Sequence, residues 1–155
     1  MKWKHPPSIK IYEALGCIAD GRIDVDGNTA TVRSSSGGKT YTITYDDKKN
    51  AIIANDNGSF WQGYLGYPSI AYLLATGRLV SDPVFAGALK DIPWKEVNVR
   101  FKNDYAKTET YVLERARERG FDTNELKREI AKIAIRIQEL GLNQLGDRIK
   151  PPQGY

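Results

Sequence analysis

Thiols and imidazoles are scarce in this sequence of 155 residues, which contains one cysteine and one histidine. Cys17 has no second cysteine with which to form an internal disulfide, and a chain of this length does not need one to build a stable core. A reducing compartment, the cytoplasm, is therefore expected. Because His5 is the only imidazole and Cys17 falls at the edge of an apolar helix, we expect no Ser-His-Asp or Cys-His catalytic site.

Long apolar runs and cofactor-binding motifs are missing as well. No run reaches the roughly 18 apolar residues of a membrane span, and residues 1–10 lack the apolar core of a signal peptide. Phosphate-binding glycine loops, the dinucleotide fingerprint and the His-Glu-x-x-His zinc motif are not found. The sequence thus predicts a soluble protein with no membrane partner and no cofactor. An enzyme is the least favoured function, and it would use carboxylates of the sheet region: Asp24, Asp26, Asp46, Asp47 and Asp56.

Positive charge is not concentrated in one part of the chain. Lys and Arg total 23 and Asp and Glu total 19, which gives a net charge of +4 and a pI of about 9.1. Residues 1–80 hold nine basic and seven acidic side chains, and residues 81–155 hold 14 and 12. A DNA-binding domain usually concentrates its basic residues on one element. The charge permits nucleic-acid binding but favours a mildly basic surface.

The apolar pattern of the first half predicts a small antiparallel sheet covered by short helices. Residues 2–7 are a leader for which the sequence predicts neither order nor disorder. Apolar residues then recur every three to four positions and predict a helix that Ser8 caps, that runs to about Asp20 and that Gly21 ends. This helix is the expected cover of the sheet. Four β-prone runs follow, at residues 22–25, 29–33, 41–46 and 51–55. We interpret the glycine-rich stretch 34–38 as a hairpin turn rather than a phosphate-binding loop, because a strand follows it.

Residues 55–79 predict an aromatic, glycine-rich loop and then an apolar helix with Pro68 in its first turn. Asp56, Asn57 and Ser59 have the spacing of some calcium ligands, but the other oxygen ligands of that pattern are missing. A turn held by hydrogen bonds between side chain and backbone is the favoured interpretation.

The second half of the chain predicts helices. After a short helix that ends near residue 89, one long helix is expected over residues 91–120. Another follows over 123–140, begun by Asp122, and the two form an antiparallel hairpin. Residues 150–155 are expected to be an extended terminus.

The fold class is therefore α+β. Its predicted domains are residues 1–80, an α+β domain with an N-terminal helix, and residues 81–155, a helical extension packed on that domain or on a partner. The apolar faces of the extension are wide, so dimer formation stays open as an alternative.

The order of strand, aromatic loop and apolar helix resembles that of the SWIM zinc-finger domain over residues 22–78. In that domain Cys-x-Cys ends a strand and Cys-x-His opens the helix. The corresponding pairs here are Ile52 with Ala54 and Tyr67 with Ser69, none of which can ligate zinc. The resemblance implies a degenerate SWIM-like fold without metal. Aromatic side chains would fill the vacant space: Tyr41, Phe60, Trp61, Tyr64, Tyr67 and Tyr72.

SWIM domains are associated with DNA and protein interactions, so the resemblance implies a nucleic-acid-associated complex. Our first hypothesis is a non-catalytic interaction protein that binds another protein or itself. The alternative is direct DNA or RNA binding, with aromatic side chains stacking on bases and lysines facing phosphates. The candidate surface residues are Trp61, Tyr64, Tyr67, Lys39, Lys48 and Lys49. The same aromatic side chains would also suit a hydrophobic core.

Overall fold

The computed structural model describes residues 1–153; the last two residues of the tail predicted to be extended lie outside this part. The fold is α+β, as predicted. The helices are α1 (Ser8–Ala19), α2 (Tyr67–Ala75), α3 (Ala86–Leu89), α4 (Trp94–Arg100), α5 (Tyr105–Glu118) and α6 (Thr123–Leu140). The strands are β1 (Ile23–Asp26), β2 (Thr29–Arg33), β3 (Thr40–Asp46), β4 (Ala51–Ala54) and β5 (Asn143–Gln144). Short helical turns precede α2 at Gly58–Gln62 and α3 at Pro83–Phe85.

The five strands form one sheet in the order β1-β2-β3-β4-β5. Strands β1 to β4 are antiparallel neighbours, which confirms the predicted hairpins. Along β3, Tyr41, Ile43 and Tyr45 are buried while the threonines between them are exposed, the alternation that predicts a half-buried strand. Strand β5 pairs in parallel with β4 and is not predicted, because two residues carry no alternation.

Helix α1 lies at the centre of the helical layer. Ile11, Tyr12 and Ala14 have no exposed surface, and α1 packs against α2, α3, α5 and α6. Helix α2 covers the sheet, because it contacts β1, β3 and β4. This corrects the prediction that α1 covers the sheet. Periodicity identifies both helices as apolar but cannot show which of them lies closer to the strands.

The long helix predicted over residues 91–120 is interrupted, which corrects that prediction. Lys102 and Asn103 have positive φ angles of 51° and 59°, which an α-helix cannot contain. Helix α5 then starts after Asp104, whose carboxylate accepts a hydrogen bond from the Lys107 backbone N–H at 3.3 Å. The apolar spacing continues across this break, so periodicity alone does not reveal it.

The N-terminal leader is an ordered part of the fold. Trp3 is 9% exposed, and its indole Nε1–H donates a hydrogen bond to a β4 carbonyl at 2.8 Å. The Trp3 backbone N–H donates to the Leu142 carbonyl, and the Gln144 N–H donates to the Met1 carbonyl. The beginning of the chain therefore lies beside β5 at the edge of the sheet.

Helices α5 and α6 bury their apolar faces within the chain. Val112, Leu126 and Ile133 belong to the same buried cluster as Tyr12 of α1. The division at residue 80, the antiparallel hairpin and the dimer stay predictions. Within residues 1–153, no helix combines the length and the apolar character that crossing a membrane requires.

Candidate binding cleft

A cavity of about 480 Å³ lies between α1, the β2–β3 loop, the loop after β4 and the α4–α5 junction; we call it the cleft. Six aromatic side chains line it: Tyr41, Trp61, Tyr64, Tyr67, Trp94 and Tyr105. Its charged lining residues are Lys10, Arg22, Lys39, Lys95, Glu13 and Asp56. Basic side chains outnumber acidic ones, so the formal charge of the lining is positive.

Glu13 forms the buried α1 wall of the cleft, with 3% of its surface exposed. Its Oε1 accepts hydrogen bonds from Lys10 Nζ at 3.3 Å and from Asn98 Nδ2 at 3.1 Å. No donor within residues 1–153 reaches its Oε2. Burial lowers the pKa of Lys10, but Glu13 and Tyr105 outweigh this effect, and the pKa of Lys10 is raised overall. Lys10 therefore stays protonated beside the carboxylate.

Asp56 holds the turn that starts the aromatic loop, residues 55–66. Its Oδ2 accepts a hydrogen bond from the Ser59 N–H at 3.1 Å, and its Oδ1 accepts one from the Ser59 hydroxyl at 2.6 Å. This confirms the predicted turn. Burial raises the pKa of Asp56, and the Ser59 hydrogen bonds offset part of that effect. Gly66 packs on the carboxylate so closely that an added β-carbon would overlap Asp56 Oδ2.

The aromatic side chains divide into an exposed edge and a buried part. Trp61 is 62% exposed, which corrects the expectation that it fills the core. Tyr67 meets Tyr41 edge-on with ring centres 6.3 Å apart, and the hydroxyl groups of Tyr64 and Tyr105 are 3.4 Å apart. The cleft thus has a solvent-facing ring at its edge and tyrosines inside it.

The β2–β3 loop, residues 34–39, forms another wall, and we call it the serine loop. It joins two antiparallel strands, which confirms the hairpin interpretation. The Ser35 hydroxyl accepts a hydrogen bond from the Lys95 N–H at the start of α4, at 3.2 Å. Within residues 1–153, Lys39 has no ion-pair partner, and the N–H groups of Ser35 and Ser36 donate to no protein group. The loop therefore presents unpaired donors.

Arg22 connects the sheet to the cleft. Its Nη1 donates to the Arg33 carbonyl at 2.7 Å, and its Nε lies 3.5 Å from Asp20 Oδ2. The guanidinium carbon is 5.9 Å from the centre of the Tyr67 ring, within the range of a cation–π interaction. Arg22 is therefore held in place by the protein itself.

The structure brings four of the six predicted surface residues to the cleft and leaves two outside. Lys48 and Lys49 are exposed in the turn between β3 and β4 and do not line the cleft. Their role in binding, and that of the other four, stays a prediction. The four residues at the cleft are Lys39, Trp61, Tyr64 and Tyr67.

Lys10, Glu13, Asn98 and Tyr105 line the cleft although sequence reasoning does not identify them. Glu13 and Asn98 are hydrogen-bonded across 85 positions, a distance at which no sequence motif operates. One feature of the sequence could have indicated these residues: Glu13 is an ionisable residue on the otherwise apolar face of α1, three residues after Lys10.

The structure also shows where Cys17 and the five aspartates considered for catalysis lie. Cys17 is buried, and burial raises the pKa of its thiol to about 11, as expected of an inert side chain. Of the five carboxylates considered for catalysis, Asp56 alone lines the cleft. Among the residues that the structure describes, no group of three or more His, Cys, Asp or Glu is arranged to hold a metal ion.

The protein is thus an α+β protein with a cleft that has a buried charged residue, Glu13, in one wall and an exposed aromatic residue, Trp61, at its edge. A family model described as uncharacterised conserved protein UCP014422 matches residues 3–143, and the chain belongs to this family. The matched range contains every cleft residue. The chain has no significant match among curated proteins or solved structures. The SWIM resemblance stays a prediction.

Proposed function

We propose that the protein is a non-catalytic interaction protein and that the cleft is its binding site. The observation that carries this proposal is the convergence of charged and aromatic side chains on one cavity. They come from α1, the serine loop, the aromatic loop and the α4–α5 junction. Small-molecule and peptide sites are typically concave, with an apolar lining and a few directed polar groups. The exposed Trp61 at the edge is the residue type most enriched at binding hot spots.

A protein segment or a second copy of the chain is the first candidate partner. Val99 is 69% exposed and lines the cleft together with Trp61, so two of the lining side chains are apolar and exposed to solvent. A partner that covers both would remove this apolar surface from water. An antiparallel α5–α6 hairpin would form the scaffold behind α4.

Nucleic acid is the second candidate partner, as expected for a member of a nucleic-acid-associated complex. The specific support is that Lys39 and Arg22 line the same cavity as Trp61 and Tyr64. Cations for phosphate and rings for bases are the two elements of single-strand recognition.

The positions of the two carboxylates favour binding over catalysis. Glu13 is engaged by Lys10 and Asn98, and Asp56 is engaged by Ser59. Both carboxylates therefore have structural partners that fix the walls of the cleft.

Ligand selection with two variants tests the proposal. A random peptide library and a random single-stranded oligonucleotide pool are each panned against the wild type, Trp61→Ser and Val80→Ser. Val80 is 78% exposed and does not line the cleft, so it is the matched control. Selected ligands should bind Trp61→Ser about tenfold more weakly and Val80→Ser unchanged.

The same experiment has an internal optical readout. Trp3 and Trp94 are 9% and 3% exposed, so quenching of tryptophan fluorescence by acrylamide reports mainly Trp61. A bound ligand should protect this fluorescence from the quencher. Ligands whose affinity is insensitive to Trp61, or that leave the quenching unchanged, would show that the binding site lies elsewhere.

A further inference from the structure

The hydrogen-bonding groups of the cleft that have no partner indicate which class of ligand it binds. This inference rests on the proposed function, in which the cleft is the binding site. We propose that the cleft holds one nucleoside phosphate unit with its phosphate at the serine loop and its base edge at Glu13, and that guanine is the preferred base. The unit is either a free nucleotide or one residue of a single strand, because both present the same chemistry to the cleft.

The serine loop supplies the donors that a phosphate requires. The N–H groups of Ser35 and Ser36 and the Lys39 ammonium are unpaired within residues 1–153. Successive backbone N–H groups next to a cation form the usual concave site for an anion. Lys10 is already paired with Glu13, whereas Lys39 at the serine loop has no ion-pair partner within the described residues, so the anionic end of the ligand is directed to the serine loop.

Glu13 supplies the complementary acceptor. Its Oε1 is occupied by Lys10 and Asn98, whereas Oε2 accepts nothing within the described chain. Asn98, whose Nδ2 donates to Glu13, carries a second acceptor without a donor, Oδ1, which is closed to solvent. The proposed complex requires the Asn98 side chain to turn this oxygen toward the cleft. A ligand with two neighbouring N–H donors then satisfies both acceptors, and guanine presents such a pair at N1 and N2. Leaving these acceptors unpaired costs binding energy for any base without the donors.

Helix α4 connects the two ends of the site. The Lys95 backbone N–H contacts Ser35 and the Asn98 side chain contacts Glu13, and these two α4 residues are three positions apart. Residues at this spacing are neighbours on the helix surface. The same part of α4 therefore holds both the serine loop and Glu13 in place. The cavity of about 480 Å³ is also in the usual range for a small molecule.

The aromatic lining suits the flat faces of a base. Trp61 at the edge and the tyrosines inside offer rings on which a base stacks. The hydroxyl groups of Tyr41 and Tyr67 form no hydrogen bond within residues 1–153, so they remain available to the sugar. An acidic peptide would fill the serine loop but would leave the acceptors at Glu13 unpaired, which is why a nucleotide is favoured.

Calorimetric titration of the full chain with guanosine, inosine and uridine 5′-monophosphates tests the base assignment without any mutation. Guanosine and inosine monophosphates differ only in the exocyclic amino group. We expect inosine monophosphate to bind about tenfold more weakly than guanosine monophosphate, and uridine monophosphate more weakly still. Equal affinity for guanosine and inosine monophosphates would overturn the assignment of the base edge to Glu13 and Asn98.

A matched pair of lysine variants tests the phosphate end. Lys39→Gln and Lys132→Gln each remove one positive charge, but Lys39 lines the cleft whereas Lys132 is an exposed residue of α6. We expect Lys39→Gln to weaken the binding of guanosine monophosphate about tenfold and Lys132→Gln to change it less than about twofold. An equal effect of both variants would mean that the charge acts only at long range and would overturn the assignment of the phosphate.

Oligonucleotides distinguish the two sources of the unit. The test compares a guanine-containing single-stranded decamer with the mononucleotide. If the decamer binds more tightly and with a steeper salt dependence, the bound unit is part of a strand. If the two bind with equal affinity, the ligand is a free nucleotide. Binding of duplex DNA alone would overturn the proposal. If no nucleotide binds but selected peptides still require Trp61, the nucleotide inference fails while the proposed function stands. If neither ligand class requires Trp61, both fail.

Discussion

The hydroxyl group of Tyr12 donates a hydrogen bond to Glu109 Oε2 at 3.0 Å, which joins the middle of α1 to α5 across 97 positions. Tyr12 has no exposed surface, whereas Glu109 is half-buried. The contact therefore connects the buried face of α1 to the helix that borders the cleft at Tyr105.

Removing this hydroxyl should weaken the fold. Tyr12→Phe keeps the ring and loses a hydrogen bond to a charged acceptor, so we expect the free energy of unfolding to fall by about 1–2 kcal/mol. Urea denaturation measures the change. Tyr111→Phe is the matched control, because the Tyr111 hydroxyl contacts only the exposed Arg115 of its own helix, and its cost should stay below about 0.5 kcal/mol. Equal costs would show that the contact between the helices is unimportant.

Adding a methyl group at Gly66 should be costly for a steric reason. The φ angle of Gly66 is −78°, which any residue adopts, so the cost of Gly66→Ala comes from overlap with the Asp56 carboxylate. We expect a loss of about 2–3 kcal/mol in the free energy of unfolding, measured by thermal denaturation. At Gly87 an added β-carbon meets only the end of the Phe121 ring at 3.3 Å, so Gly87→Ala is the control.

A double-mutant cycle then identifies the clash. In an Asp56→Ala background, Gly66→Ala should cost clearly less than in the wild type, because the carboxyl group that the added methyl group overlaps is absent. Additive costs would place the strain on a different neighbour.

Asp104 should stabilise α5 as its N-cap. Asp104→Ala removes the acceptor of the Lys107 N–H, and we expect a loss of about 1 kcal/mol in urea denaturation. Asp147→Ala removes the same charge from an exposed position outside any helix or strand and should have little effect. If Asp104→Ala were neutral, the break between α4 and α5 would have to depend on Lys102 and Asn103 instead.

The thiol of Cys17 should make the protein less stable in alkali. Burial raises its pKa from 9.0 to about 11. Below pH 9 the folded and unfolded chains both keep the proton; between pH 9 and 11 the unfolded chain loses it first, so the free energy of unfolding falls as pH rises. Relative to Cys17→Ala, the wild type should lose roughly 2 kcal/mol between pH 8 and pH 11. A pH-independent difference between the two proteins would contradict this expectation.

Sequence patterns predict those elements that are determined by residues close together in the chain. The alternation of Tyr41, Ile43 and Tyr45 gives β3, and the turn at Asp56 follows from its own hydrogen-bonding side chain. The break before Asp104 escapes prediction because the apolar spacing runs through it, and only the Asn-Asp pair marks it.

The cleft is predicted only in part, because most of its walls meet through tertiary structure. Trp61, Tyr64 and Tyr67 stand out within one loop, and aromatic composition is enough to identify them. Glu13 becomes a cleft residue only when α4 brings Asn98 beside it, a contact that depends on the packing of the whole helical layer. Sequence reasoning therefore finds the aromatic edge and misses the buried polar wall.

The hydrogen bond from the Gln144 N–H to the Met1 carbonyl has a consequence for the order of folding. The backbone partners of Met1 and Trp3 at this edge of the sheet, Gln144 and Leu142, lie about 140 positions further along the chain. Contacts across such a separation pay a large loop-closure entropy before they stabilise the fold, so they form late. We therefore expect the hairpins of β1 to β4 to form first and the edge at β5 to close last.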